Sequence, residues 1–131
     1  MPALINTKLD KYSFFEEVLP AAKDSIGARC SFAKAPRFIL VEAMAQLASL
    51  HFGRTGGPGR QTFLLKVKNI SPWLEESGLD GVYELKAELL AKSRATGLYR
   101  VTASGSPGEH PVGGEFYISS VGREEFKGQP Y

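Results

Sequence analysis

The chain has 131 residues, of which 43% are hydrophobic and 23% charged, as in one globular domain and unlike a disordered or fibrous protein. Its 16 basic and 14 acidic residues leave a net charge of +2, too small to indicate nucleic-acid binding. The single cysteine, Cys30, excludes an internal disulfide and a cysteine-based metal site, and we expect no metal or cofactor.

The sequence indicates neither a signal peptide nor a membrane helix. The N-terminal MPALINTKLDKYSFF lacks the basic and then apolar segments of a signal peptide. The longest apolar run, residues 38–52, is interrupted by Glu42 and Gln46 and is shorter than the roughly 20 residues of a membrane helix. We therefore expect a soluble, cytoplasmic protein that does not contact membranes.

Most of the chain has the alternation of β-strands. Before the helix, KYSFFEEVLPA (residues 11–21) and SIGARCSF (25–32) are predicted strands. After it, four more are predicted: QTFLLKVKNISPWL (61–74), VYELKAELLAK (82–92), LYRVTAS (98–104) and GGEFYISSV (113–121). RATG (94–97) is predicted to be a hairpin turn. In the strand at 61–74, the alternation places Leu65, Val67 and Asn69 on one face and Lys66, Lys68 and Ile70 on the other.

One long helix is predicted over residues 36–52, with Pro36 in its first turn and Gly53 ending it. Apolar side chains cover nearly its whole circumference, so it should be buried on most sides. A curved, mainly antiparallel sheet of about six strands around one central helix would satisfy this α+β pattern, as would a helix packed between a sheet and a second subunit. Glycine- and proline-rich loops are expected at residues 53–61 and 106–114, and a flexible tail from about 122, in a single domain spanning 1–131.

Three polar side chains interrupt the apolar helix at helical spacing. Glu42, Gln46 and Ser49 lie at i, i+4 and i+7, on one narrow stripe. A buried ionised carboxylate costs several kcal/mol unless it has partners. Glu42 is therefore either a structural residue bonded to a neighbouring backbone amide or a group kept for acid–base chemistry.

The helix sequence FILVEAMAQLAS resembles the central-helix motif of the FabZ-type 3-hydroxyacyl-acyl-carrier-protein dehydratases, within the hot-dog superfamily. The match is close over residues 38–46, with Pro36 just ahead, and LLKVKNISPW is loosely similar to the strand that follows this helix in the family. Elsewhere the resemblance is one of pattern.

This resemblance implies the hot-dog fold, an obligate dimer whose sheets join edge to edge, and acyl chains that enter between subunits. It implies acyl thioesters of acyl carrier protein or coenzyme A as ligands, in fatty-acid or polyketide-type metabolism. It also implies a catalytic Glu42, with Gln46, Phe38, Pro36 and Ser49 close to the substrate. Cations near the entrance would contact the carrier, and the candidates are Arg37, Arg54, Arg60, Lys66 and Lys68.

The family pairs the helix acid with a histidine from the other subunit, in a Gly-His-Phe-Pro context. Here KDSIGARCSFAKAPRF contains no histidine. An ungapped alignment puts Ala28 at the histidine position, whereas a strand at 25–32 would mean that the histidine loop is deleted. His51 lies nine residues beyond Glu42, on the opposite side of the helix, where the helix dipole would favour it. His110 is expected to be exposed in a turn, Cys30 to pack as a small apolar residue, and Tyr99 to pack without a polar partner.

Three functions remain open from the sequence. The chain could be a catalytically impaired acyl-thioester-binding protein, or a partner subunit of an active dehydratase, as a homodimer or a heterodimer with a related hot-dog subunit. It could be an active hydro-lyase or thioesterase that uses Glu42 as acid and base. It could also be a structural assembly module without a ligand.

Overall fold

The computed structural model describes residues 15–36, 38–55, 60–71, 79–105 and 111–122. They form one helix and six strands. In chain order these are β1 Glu17–Val18, β2 Ser25–Ala35, α1 Phe38–Thr55, β3 Arg60–Ser71, β4 Leu79–Lys92, β5 Thr96–Ser104 and β6 Val112–Gly122. This order confirms the predicted pair of strands, one helix and four further strands.

All six strands belong to one antiparallel sheet, in the spatial order β1-β2-β4-β5-β6-β3. The helix α1 packs against each of the five long strands. One helix can contact five strands of the same sheet only if the sheet curves around it. The predicted α+β architecture, a central helix wrapped by a curved six-stranded sheet, is therefore confirmed.

Alternation along β4 and β5 places the core as predicted. Inward-facing side chains of these strands are buried, and the residues between them are largely exposed. The largest fully buried side chains of the core come from the sheet, from α1 and from Phe15 just before β1; among them are Tyr99, Phe15, Phe116, Ile26, Met44, Leu47 and Ile118. On α1 most apolar side chains are buried, Val41 and Leu50 are partly buried, and Phe38 at the beginning is 60% exposed.

Strand β3 departs from the prediction, because register shifts between Leu64 and Lys66 and between Lys68 and Ser71 interrupt its alternation. Val67 packs against the core, but Leu65, predicted to share its face, is 53% exposed. Asn69 has a φ of 57°, a left-handed conformation that asparagine tolerates, and it is exposed. Ile70, predicted to lie on the opposite face of the strand from Val67, packs against the core as well.

Several predicted boundaries were wrong. The helix begins at Phe38, after Pro36, whose carbonyl accepts a hydrogen bond from the Ile39 amide over 3.1 Å. It continues through Gly53 to Thr55, because glycine permits a helical stop without imposing one. The first strand contains only Glu17–Val18, and its predicted residues 11–14 lie outside the described part, as does the predicted tail after 122.

Candidate functional site

The polar stripe on α1, formed by Glu42, Gln46 and Ser49, lies where the sequence predicted it. Glu42 is partly exposed, whereas Gln46 is 8% and Ser49 is 6% exposed. The helical rise separates Glu42 from Gln46 by about 6 Å along the axis, and Glu42 from Ser49 by about 10 Å. The stripe therefore begins with an accessible carboxylate and continues into the interior as an amide and a hydroxyl.

Gln46 has an unusual feature for a buried side chain. Its amide nitrogen, Nε2, is buried but has no hydrogen-bond partner among the residues that the structure describes. A buried amide nitrogen without an acceptor costs about 1–3 kcal/mol, so such groups are rare unless something outside the chain satisfies them. The spacing predicted the position of Gln46, but the missing acceptor is visible only in the folded chain.

Strand β3 covers the inner end of the stripe. The Thr62 hydroxyl donates a hydrogen bond to the backbone carbonyl of Ser49 over 3.4 Å, and Thr62 is itself 6% exposed. No pattern around Thr62 marks it as a site residue. Its place depends on how β3 packs against α1, which the sequence alone did not reveal.

The other predicted substrate-binding residues lie at the beginning of α1. Pro36 and Phe38 are both exposed; Phe38 lies about one turn before Glu42, and Pro36 lies just before the helix. Arg37 lies outside the described residues. The Phe38 ring and the Glu42 carboxylate therefore belong to one accessible end of the stripe.

The structure does not bring the predicted carrier-binding lysines to this stripe. Lys66 and Lys68 place their Nζ atoms 4.6 and 5.8 Å from the centre of the Tyr117 ring, within the range of cation–π attraction. Tyr117 alternates with the buried Phe116 and Ile118, so these lysines lie on the outer face of the sheet, away from α1. Arg54 is exposed at the end of the helix, and the side chain of Arg60 is not described.

His51 and Tyr99 form a buried polar pair that the sequence analysis missed. The two side chains are completely buried, and His51 Nδ1 lies 2.6 Å from the Tyr99 hydroxyl. His51 Nε2 lies 3.1 Å from the backbone carbonyl of Ala22. A carbonyl can only accept, so Nε2 carries the proton and Nδ1 accepts from the Tyr99 hydroxyl. Contrary to the predictions, His51 is an interior residue and Tyr99 has a polar partner.

The same contacts remove His51 as a base for Glu42. Both ring nitrogens are engaged, and the nine-residue separation turns the ring to the opposite side of the helix. Burial, together with the negative charge of Asp24, raises the pKa of the Tyr99 hydroxyl well above its usual range. His110 lies outside the described residues.

Cys30 packs in the core, as predicted. It is completely buried on β2, and burial, assisted by the negative charge of Glu16, raises the pKa of its thiol to about 12. A thiol that stays protonated is a poor nucleophile and a poor metal ligand. Among the described residues, no three His, Cys, Asp or Glu side chains come together as a metal site.

The shifted Cys30 pKa predicts an alkaline loss of stability. The thiol of the unfolded chain ionises near pH 9, whereas the folded thiol keeps its proton to about pH 12. Within that window unfolding releases a proton, so rising pH favours unfolding by up to about 1.4 kcal/mol per pH unit. Urea unfolding at several pH values in this window should therefore show a steeper decline for wild type than for Cys30→Ala. Equal slopes would show that Cys30 is not responsible.

A separate groove of about 580 Å³ lies on the outer face of the sheet, under Leu19 and Pro20. Its charged lining residues are Glu17, Arg29, Glu84 and Lys86, so the formal charges cancel. Arg29 is already paired with Glu17 at 3.5 Å. The groove is on the opposite face of the sheet from α1 and does not belong to the site around Glu42.

The helix wrapped by a six-stranded antiparallel sheet defines a hot-dog fold. Searches of known family models and of curated protein sequences find no match to this chain. In the part of the chain that the structure describes, no helix has the length and hydrophobicity needed to cross a bilayer.

Solved structures do resemble it. The dehydratase heterocomplex ApeI:P from Xenorhabdus doucetiae matches with a TM-score of 0.69 and 14% identity, over 87% of this chain and 86% of that one. A thioesterase from Haemophilus influenzae matches with a TM-score of 0.66 and 13% identity, over 82% and 78%. A Bacillus halodurans protein solved with coenzyme A matches with a TM-score of 0.60 and 11% identity, over 72% and 66%. At these identities the likeness concerns the fold.

Proposed function

We propose that this chain binds acyl thioesters and contributes Glu42 and Gln46 to a dehydratase-like site. The observation that carries the proposal is the Gln46 Nε2 group, buried without an acceptor, one helical turn from the partly exposed Glu42 carboxylate. A thioester carbonyl is an acceptor of the required kind. The solved hot-dog relatives include thioesterases, a dehydratase heterocomplex and a protein bound to coenzyme A, which supports this ligand class.

The two side chains have complementary chemical roles in this proposal. Gln46 donates a hydrogen bond to the thioester carbonyl oxygen, which polarises the carbonyl and makes the α-proton more acidic. A base removes that proton, the C–C double bond forms, and the C–O bond to the 3-hydroxyl breaks. Glu42 gives a proton to the departing hydroxyl, which leaves as water.

The base must come from elsewhere. Within the described residues the one histidine is His51, whose ring is buried and fully engaged. We propose that a related hot-dog subunit supplies the histidine, so that this chain alone is catalytically impaired. The ApeI:P heterocomplex provides a precedent for a dehydratase built from a heterocomplex.

A second candidate function is hydrolysis by this chain alone. The structural resemblance to a thioesterase favours it. Hydrolysis also needs only one carboxylate to activate water, and the partly exposed Glu42 could serve as that carboxylate. Either acyl carrier protein or coenzyme A could bring the acyl group. The exposed cations Arg54, Lys66 and Lys68, together with Arg37 and Arg60, stay candidates for contact with that acidic carrier.

The test is turnover of 3-hydroxyacyl thioesters by the chain alone and by the chain mixed with a histidine-bearing hot-dog subunit from the same source. The subunit proposal expects dehydration in the mixture and none from the chain alone. Thioester hydrolysis by the chain alone would support the second candidate instead. No turnover and no thioester binding under either condition would contradict both.

We further propose that the chain associates with a second hot-dog subunit, identical or related, through the outer edge of β3. This strand ends the described sheet and exposes two successive apolar side chains, Leu64 and Leu65. An apolar strand at the edge of a sheet is a template for pairing with another chain. Pairing there would join two sheets edge to edge, beside the α1 stripe that Thr62 contacts.

A charge on this edge should prevent assembly. Leu65→Lys places an ammonium group at a position that is 53% exposed in one chain and would be desolvated in a pair. We expect sedimentation or light scattering to show a dimer for wild type and a monomer for Leu65→Lys. Leu90→Lys is the matched control, because Leu90 is 52% exposed and also lies at a register shift, on β4. Equal effects of the two substitutions would contradict β3 pairing.

A further inference from the structure

The outer face of the sheet, opposite α1, carries charged side chains of alternating sign. Direct cross-strand pairing places them in one row across β4, β5, β6 and β3, in the order Glu88, Arg100, Glu115 and Lys68. Tyr99 and Val101, on either side of Arg100, are completely buried, so the members of this charge row point away from α1. Across the four strands the charges therefore alternate as negative, positive, negative and positive.

The charge row is not neutralised within the chain. Among the residues that the structure describes, the ion pairs within 4.0 Å all belong to Arg29, which is not a member of the row. Asn69 donates a hydrogen bond to one carboxylate oxygen of Glu115, and Lys68 lies near the Tyr117 ring. These contacts leave all four charges available to charged groups from outside the chain.

An alternating row of four charges is complementary to its own reverse. A second copy can face the first across a twofold axis that runs parallel to the strands, between β5 and β6. Glu88 then faces Lys68 of the second copy, Arg100 faces its Glu115, and symmetry repeats both contacts. An axis along β5 would instead set Arg100 against Arg100 and Glu88 against Glu115. The signs of the charges therefore select the first arrangement.

The residues beside the charge row fit the same arrangement. Leu98 and Tyr117 are partly exposed cross-strand partners, and the axis sets each against the other residue in the second copy. On the other side of the row Thr102 pairs with Gly113, so a threonine would face a glycine. Two sheets packed face to face lie about 10 Å apart, a distance that Arg, Lys and Glu side chains bridge together.

We propose that the outer face of the sheet binds a second copy of this chain, with the charge row of each copy against that of the other. Because α1 lies on the opposite face, the contact leaves the Glu42 end of the stripe open and does not depend on the proposed thioester binding. Exposed ion pairs individually contribute little and are screened by salt. We therefore expect this contact at low salt and at higher protein concentration than pairing through the β3 edge.

Sedimentation equilibrium at high protein concentration and low salt tests the contact. The samples are wild type, Arg100→Glu, Glu115→Arg and an equimolar mixture of these two variants. Either substitution leaves charges of one sign beside the axis, so each variant alone should have a lower mean mass than wild type. In the mixture the introduced carboxylate of one variant faces the introduced guanidinium of the other, and the mean mass should rise by up to about twofold.

This recovery would come from contact between chains, because like charges stay side by side within each variant. Pairing through the β3 edge is unchanged in all samples and cannot cause the rise. Glu84→Arg is the matched control, because it makes the same change of charge on the same face of β4. Strand β3 ends at Ser71, in the row of Lys86, so no strand residue would face Glu84. This control should keep the wild-type mean mass.

Three results would overturn the proposal. One is a mixture whose mean mass equals that of the separate variants. Another is a loss of mass in Glu84→Arg equal to the loss in Arg100→Glu and Glu115→Arg. The third needs no variant, because screening must weaken a contact that ion pairs hold together. A mean mass of wild type that does not fall when salt is raised at high protein concentration would exclude the contact, even if a variant failed to fold.

Discussion

Replacement of Glu42 by Gln is expected to lower thioester turnover by about 10²- to 10⁴-fold, the usual contribution of a positioned acid–base group. Glutamine keeps the size and polarity of the side chain but cannot transfer a proton. Because Glu42 is partly exposed at the open end of the stripe, the substitution leaves no buried charge and should not affect folding. The measurement is steady-state dehydration of 3-hydroxyacyl thioesters by the chain with its histidine-bearing partner, or hydrolysis by the chain alone.

Glu88→Gln provides the matched control. Glu88 is exposed on β4 and points away from the helix, so the same change of charge occurs on the other face of the sheet. We expect this variant to retain the wild-type rate. If Glu42→Gln retained it as well, Glu42 would have a structural role, which is the alternative that the sequence left open.

The regular parts of the fold were predictable because a local pattern determines them. In β4, Tyr83, Leu85 and Ala87 alternate with exposed charges, since one face of the sheet packs on α1 and the other meets solvent. The all-round apolar character of α1 likewise predicted its burial. Strand β3 was predicted poorly because its two register shifts break the period of two, and no residue type at Leu65 signals the first shift.

The candidate site was predictable only along the helix. Spacing alone placed Glu42 and Gln46 on one stripe, because 3.6 residues per turn determines it. The contact of Thr62 with Ser49 joins two elements, and that of His51 with Tyr99 spans 48 residues. Contacts of this kind arise from packing, and a single sequence carries no local trace of them.

The His51–Tyr99 pair should dominate the polar contribution to stability. It ties the end of α1 to β5, and through the Ala22 carbonyl to the segment between β1 and β2. His51→Phe removes both hydrogen bonds and leaves the Tyr99 hydroxyl and the Ala22 carbonyl without their partner. The orphaned buried Tyr99 hydroxyl costs about 1–3 kcal/mol, whereas the carbonyl of the exposed Ala22 can bind water instead, so we expect a loss of about 1–3 kcal/mol in the free energy of unfolding. Urea unfolding followed by circular dichroism measures it.

A double-mutant cycle separates the contribution of the hydrogen bond to stability from the contribution of ring packing. Tyr99→Phe alone leaves His51 Nδ1 without its donor, whereas His51→Phe combined with Tyr99→Phe removes both members of the pair. The double variant should therefore lose less free energy of unfolding than the two single variants lose together, by about 1 kcal/mol or more. The reason is that neither member of the pair is then left without its partner. Strictly additive losses would show that the 2.6 Å contact contributes no coupling and that the rings stabilise the core by packing alone.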